Sequence, residues 1–201
     1  RPIPMPQLMH DDMHPKPSGD RSGLTDIAVT HMWLARLLVQ IAEASLFAFL
    51  LLWFRSVEPG FAENRAATIF TFVLGAAVLF ALNIGRWSDR TGRPVLPLIL
   101  CSAIAAAGLL LMSAALDLVL AIVGYIVFGL ASSIFLALHS SQTLRVLPAP
   151  KTRGRDLGLF NLTNTVPSLI MPWLTLALVP IYGFDALFLL LAGLALLACL
   201  L

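Results

Sequence analysis

The chain has 201 residues, of which 59% are hydrophobic and 12% charged, with a mean hydropathy of +0.89. Soluble domains run at about 45–50% apolar and about 25% charged, so a soluble core cannot hide this much apolar surface and the chain reads as an integral membrane protein. The formal net charge of +2 is small and carries no signature of nucleic-acid binding.

Residues 1–29 are polar, of mixed charge, with Pro2, Pro4, Pro6, Pro15 and Pro17. They read as an irregular segment and lack the apolar core of a signal peptide. Six apolar spans follow at about 31–54, 67–86, 95–115, 118–141, 159–180 and 184–201, each near the roughly 20 residues that cross the hydrocarbon. Unpaired backbone groups are too costly in lipid for anything but helices or a closed barrel, and no barrel alternation is present. The expected fold is therefore an all-α membrane protein with six transmembrane helices. The connections after spans two and four hold Arg90 and Arg93, then Arg145, Lys151, Arg153 and Arg155, with Arg86 at the edge of the first. Those after spans three and five hold Asp117 and Asp185 and no basic residue. The loop after span one balances Arg55 and Arg65 against Glu58 and Glu63. The positive-inside rule then puts both termini in the cytoplasm.

Polar residues are unevenly spread over the spans. Span one carries Arg36, Gln40 and Glu43; span two Thr68, Thr71 and Asn83; span four Ser132, Ser133, His139 and Gln142. Span five carries Asn161, Thr163, Asn164, Thr165 and Ser168 beside Pro167 and Pro172, whereas spans three and six are nearly bare. Polar groups in a bilayer face protein or water. Spans one, two, four and five are expected to surround a polar cavity, with spans three and six outside it as lipid-facing support.

Glu43 is the sharpest single candidate, because a mid-membrane carboxylate is costly unless used or paired. It suits a proton or cation site, or a partner for a substrate hydroxyl; the competing account is a structural pair with Gln40 or Arg36. Arg36, near the cytoplasmic end, is expected to snorkel toward headgroups. His139 can relay protons at neutral pH or simply be a satisfied polar residue. Asn161 and Asn164, one turn apart, suit cavity lining or interhelical hydrogen bonds. Pro167 and Pro172 are expected to bend span five, and Gly124 and Gly129, with Ala131 and Ser132, offer a small face for close packing. Cys101 and Cys199 fall inside apolar runs and read as lone thiols. No Cys-x-x-Cys spacing, phosphate-cradling loop or Gly-x-Ser-x-Gly elbow is present, so no enzyme, cofactor or metal site is expected.

Residues 85–94 read Gly-Arg-Trp-Ser-Asp-Arg-Thr-Gly-Arg-Pro between spans two and three. Gly85, Asp89, Arg90, Gly92 and Arg93 fit Gly-x-x-x-Asp-(Arg/Lys)-x-Gly-(Arg/Lys)-(Arg/Lys), with Trp87 and Pro94 departing from it. This resembles the signature loop of the major facilitator superfamily, which joins the second and third spans of each six-helix half. Residues 151–161 are similar to the Arg-Gly-Arg loop before the eleventh span of some members. Span four lacks the arginine of many first halves, the chain opens on a charged, proline-bearing stretch without Met, and it stops inside an apolar run. The expectation is a C-terminal half, with residues 1–29 as the inter-half linker and 30–201 as the bundle. The resemblance implies a secondary carrier of a small solute, a symporter driven by an ion gradient, most simply protons. Its expected partners are the lipid bilayer and a missing N-terminal half or a second copy. Its expected location is the plasma membrane, a bacterial inner membrane, with multiple passes. A non-transporting six-span scaffold or stand-alone homodimer is the alternative.

Overall fold

The computed structural model describes residues 19–146 and 153–201. Five helices account for nearly all of them: α1 (Gly19–Val57), α2 (Glu63–Thr91), α3 (Leu96–Ser113), α4 (Leu118–Val146) and α5 (Arg153–Leu200). Each includes a stretch long and apolar enough to cross a membrane. The first helix begins at Gly19, about ten residues ahead of the expected span, so the irregular reading of residues 1–29 does not hold for 19–29; residues 1–18 lie outside the described residues, as do 147–152 of the fourth connection.

The expected fifth and sixth spans are one 48-residue element. A straight helix of that length would run about 72 Å, more than twice the roughly 30 Å hydrocarbon. It is not straight: Gly183 has φ 78° and ψ 178°, a non-helical conformation inside the element. Such a backbone is open to glycine and closed to most side chains, so a single residue does the work expected of a loop. The two arms touch α1 at different heights. Thr163 on the first arm meets Arg36, whereas Phe188 on the second meets Trp53, ring centroids 4.9 Å apart and nearly perpendicular.

The turns explain their own sequences. Gly92 ends α2 in the left-handed conformation, φ 64° and ψ 23°, and its N–H returns to the Ser88 carbonyl, the satisfied helix end that favours glycine. The Ser88 hydroxyl donates to the Arg93 carbonyl at 3.2 Å, closing the loop on itself. At the opposite end Asp117 accepts the Leu120 N–H at 2.8 Å and caps α4. At the same end lies an aromatic cluster in which Phe54 stacks on Trp53 at 5.0 Å, lies tilted against Phe61 at 4.7 Å and meets Tyr125 edge-on at 6.0 Å. That cluster ties α1, the α1–α2 turn and α4 together.

Helices α3 and α4 cross at glycines. A Cβ on Gly108 would lie 2.5 Å from the Phe128 backbone nitrogen, and one on Gly124 would lie 2.8 Å from Met112 Cγ. Gly129 faces Val73 of α2 in the same way, so the small face expected on span four is used for close packing. The second arm of α5 lies against α3, where the Ser102 hydroxyl donates to the Ala195 carbonyl at 2.6 Å. Ala105, Leu109 and Met112 of α3, with Leu187 and Leu191 of α5, are fully buried.

As expected, spans three and six stand outside the cavity, and no residue of either lines it. Each buries one face in the core and exposes another, with Ile99, Leu100 and Ile104 out on α3 and Leu189, Leu190 and Leu197 out on α5, while α2 exposes Phe72, Val78, Leu79, Phe80 and Leu82; the sequence does not tell these faces apart. The reason is that lipid tails are as apolar as leucine, so bare hydrophobicity does not separate a lipid face from a helix face.

Gly108→Val should drive a side chain into the α4 backbone and destabilise by about 1–3 kcal/mol, seen as a lower Tm in detergent. Gly193→Ala, where a Cβ meets nothing within 4 Å, should melt like the native chain. Equal melting of the two variants would refute the close crossing.

Candidate functional site

Helices α1, α2, α4 and the first arm of α5 enclose a cavity of about 430 Å³, the four spans expected to do so. Gln40 and Glu43 of α1, Ser132 and Ser133 of α4 and Ser168 of α5 supply its polar atoms. Phe47, Phe70, Val73, Phe128 and Met171 supply much of the apolar wall, with Tyr125 between. Gln40 Nε2 donates to Glu43 Oε2 at 3.3 Å, and Ser133 of α4 lines the same cavity. Among the described residues the ion pairs are Arg55–Glu63 at 3.1 Å and Arg65–Glu58 at 3.7 Å, both at the α1–α2 turn. Glu43 therefore accepts from a neutral donor, Gln40, with its cation at longer range.

That cation is Arg36, two turns earlier on α1. Its Nε donates to Thr163 Oγ1 at 3.0 Å and its Nη1 to Ser140 Oγ at 2.8 Å. Nη1 also reaches the Leu136 carbonyl at 3.3 Å, and Nη2 reaches Asn164 Oδ1 at 3.4 Å. The expectation of a snorkelling arginine fails, because acceptors on α4 and α5 take the guanidinium at its own depth and leave no reason to reach for headgroups. A fork of rigid donors suits this bridging, and a lysine ammonium would not match it.

The remaining sequence candidates fall in different places. Asn161 and Asn164 pair on α5, Nδ2 to Oδ1 at 3.3 Å, and extend the Arg36 network rather than line the cavity. His139 is fully buried behind the cavity, with Nε2 2.7 Å from the Met32 carbonyl of α1. Thr143 lies on its other side, Oγ1 3.3 Å from Nδ1. Of the five binding candidates, Gln40 and Glu43 share the cavity; Asn161 and Asn164 are exposed on α5, Asn164 reaching Arg36, and His139 bonds to α1.

Gly85 of the signature loop lies at the α2–α4 contact, where a Cβ would sit 3.4 Å from Leu138 Cδ2. Asp89, Arg90, Gly92 and Arg93 are exposed at the end of α2. A second cavity of about 440 Å³ opens beside them, with Arg86, Ser88 and Asp89 facing Ser141 and Gln142 of α4. No group of three His, Cys, Asp or Glu able to hold a metal exists among the described residues; His10 and His14, at four-residue spacing, lie outside them.

Sequence reasoning missed the aromatic wall. Phe47, Phe70, Tyr125 and Phe128 sit in apolar runs where lipid-facing phenylalanines look the same. A signal was nevertheless present: Phe47 is four residues beyond Glu43, and Tyr125, Gly129 and Ser133 share one face of α4 at four-residue spacing.

Arg36→Met deletes all four hydrogen bonds and should destabilise by about 1–3 kcal/mol, with Arg36→Lys recovering only part. Thermal unfolding in detergent reads this, and a native Tm in Arg36→Met would refute the brace.

No curated protein matches the chain. The family model described as the Major Facilitator Superfamily matches residues 32–201, from the start of the Arg36 region to the last residue. A bundle of membrane-length helices, a glycine-capped basic loop after α2 and a polar cavity between α1, α2, α4 and α5 lie within that match, and the chain belongs to the major facilitator superfamily of membrane transporters.

Proposed function

We propose that this chain is one half of a secondary carrier, coupled to an ion gradient, that moves a small solute by alternating access. The half rocks as a rigid body against a partner half, which is an N-terminal six-helix unit or a second copy. In this reading α5 crosses the membrane twice, reversing at Gly183. The contacts of Thr163 with Arg36 and of Phe188 with Trp53, at opposite ends of α1, support it. Both termini face the cytoplasm of a plasma membrane, because the α2–α3 turn and the α4–α5 connection share the end richest in Arg and Lys along the sequence. Asp89, Arg90 and Arg93 anchor that cytoplasmic side between the two halves.

The observation that carries the reading is Glu43. It lines the cavity, bonded to Gln40 and without a direct cation. A neutral donor leaves a carboxylate able to take and give up a proton as access alternates, which is what coupling needs. The donors of Arg36 are committed to α4 and α5, so neutralising Glu43 does not dismantle the fold. A scaffold has no use for an ionisable group on a cavity wall.

Proteoliposomes holding the full-length carrier and an internal pH dye test this against a panel of small solutes. At least one solute should move protons with it. Glu43→Gln should abolish its uphill, proton-driven uptake. Intact uphill uptake in Glu43→Gln would show that Glu43 does not couple. Orientation is tested separately with Arg90→Cys and Asp117→Cys in a Cys101→Ser, Cys199→Ser background. An impermeant maleimide should reach the first only from the cytoplasm and the second only from outside; labelling of both from one side would overturn the topology.

A further inference from the structure

Resting on that carrier reading, we infer that the cavity takes an amphipathic organic cation, held by the carboxylate of Glu43 and the rings of Phe47 and Phe70. Charge is the first argument. Glu43 is the one acidic residue among the described residues that line the cavity, and no Lys, Arg or His joins it. From α1 itself, Arg36 faces Glu43 at a distance of two turns, but it directs Nε, Nη1 and Nη2 to acceptors on α4 and α5. From α4, Tyr125 is the titratable neighbour, and α2 and α5 line the cavity with none. A low-dielectric cleft with a single negative group attracts cations and repels anions.

The walls decide which cation. Phe47 lies one turn beyond Glu43 on the same face of α1 and is 73% exposed. Its ring meets Phe70 of α2 with centroids 5.6 Å apart at 60°. Two aromatic rings from different helices therefore line the cavity that holds the carboxylate, with Phe128 and Tyr125 of α4 buried in its wall. Aromatic faces attract cations through the ring quadrupole. A small, strongly hydrated ion would lose its water here and find only Glu43, Gln40 and serine hydroxyls in exchange, which is unfavourable. A bulky cation with delocalised or shielded charge loses little hydration and gains the apolar walls. The volume of about 430 Å³ falls in the range that holds drug-sized molecules.

One carboxylate cannot hold a proton and an organic cation together. The two compete, so the cation binds more weakly as the pH falls and its entry displaces the proton. Carriage is then exchange of cation against proton.

Tetraphenylphosphonium and tetraphenylborate, matched in size and shape and opposite in charge, test the proposal on the full-length carrier in detergent. Tetraphenylphosphonium should bind saturably, and more weakly at lower pH. Glu43→Gln should weaken it roughly tenfold or more and remove the pH dependence. Phe47→Leu, at an exposed position, should weaken it about two- to fivefold and keep the pH dependence. Size-exclusion profiles identify any variant that has failed to fold, and Phe47→Leu then stands in for it. Equal binding of tetraphenylborate, or tetraphenylphosphonium binding in Glu43→Gln within twofold of native, would overturn the cation class. If Glu43-dependent proton coupling appears with a neutral or anionic solute while tetraphenylphosphonium does not bind, the carrier reading stands and this one falls.

Discussion

The guanidinium of Arg36 is the interaction on which the site depends. In lipid, apolar side chains gain nothing by leaving one apolar medium for another, so helices are held by close packing and hydrogen bonds. Arg36 reaches Leu136 and Ser140 of α4 and Thr163 and Asn164 of α5 from a single position on α1. Three helices are thereby fixed at one height, two turns from Glu43. That sets the separation of the cavity walls and leaves the carboxylate without a direct ionic partner. His139 adds a second tie between α1 and α4 through the Met32 carbonyl.

Packing behind the cavity follows a different rule. Helices α3 and α4 approach until Gly108 meets the Phe128 backbone, and Ser102 reaches the Ala195 carbonyl of α5. Glycine at such a crossing brings two backbones together and multiplies dispersion contacts, the main attraction available in a bilayer. The result is a dense support of α3, α4 and the second arm of α5. Helix α2 and the first arm of α5 pack less densely, and their exposed large side chains include Phe72, Leu79, Leu169 and Trp173.

The two ends of the bundle are built from different chemistry. The α2–α3 turn is short and exposed, closed by Gly92 at positive φ and by the Ser88–Arg93 bond. The opposite end is an aromatic cluster around Phe54, with Arg65 over the Phe61 ring at 5.2 Å. Cation and ring there lie where a membrane interface tolerates both. The reversal at Gly183 belongs to this end, because Phe184 and Phe188 of the second arm pack into the same core as Trp53 and Phe54.

By itself the sequence determined the class, the membrane helices, the glycine-capped basic loop and the four spans that line the cavity. These follow from hydropathy, charge and turn chemistry, which act locally and are written in consecutive residues. It also singled out Gln40 and Glu43, because a carboxylate in an apolar run is conspicuous. Tertiary structure alone decided the rest. Arg36 reads as a snorkelling residue until acceptors 100 and more residues away take its donors. His139, Asn161 and Asn164 have the residue types of a site but do not line the cavity; His139 bonds to α1 and Asn164 to Arg36. The fifth and sixth spans fuse into one element because Gly183 turns in a single residue. Phe47, Phe70 and Phe128 line the cavity, and α3 buries one face in the core where α2 exposes most of its length. The physical reason is common to all of these. Lipid and protein interior are equally apolar, so hydrophobicity cannot say which face of a membrane helix meets which, and only the packed bundle does.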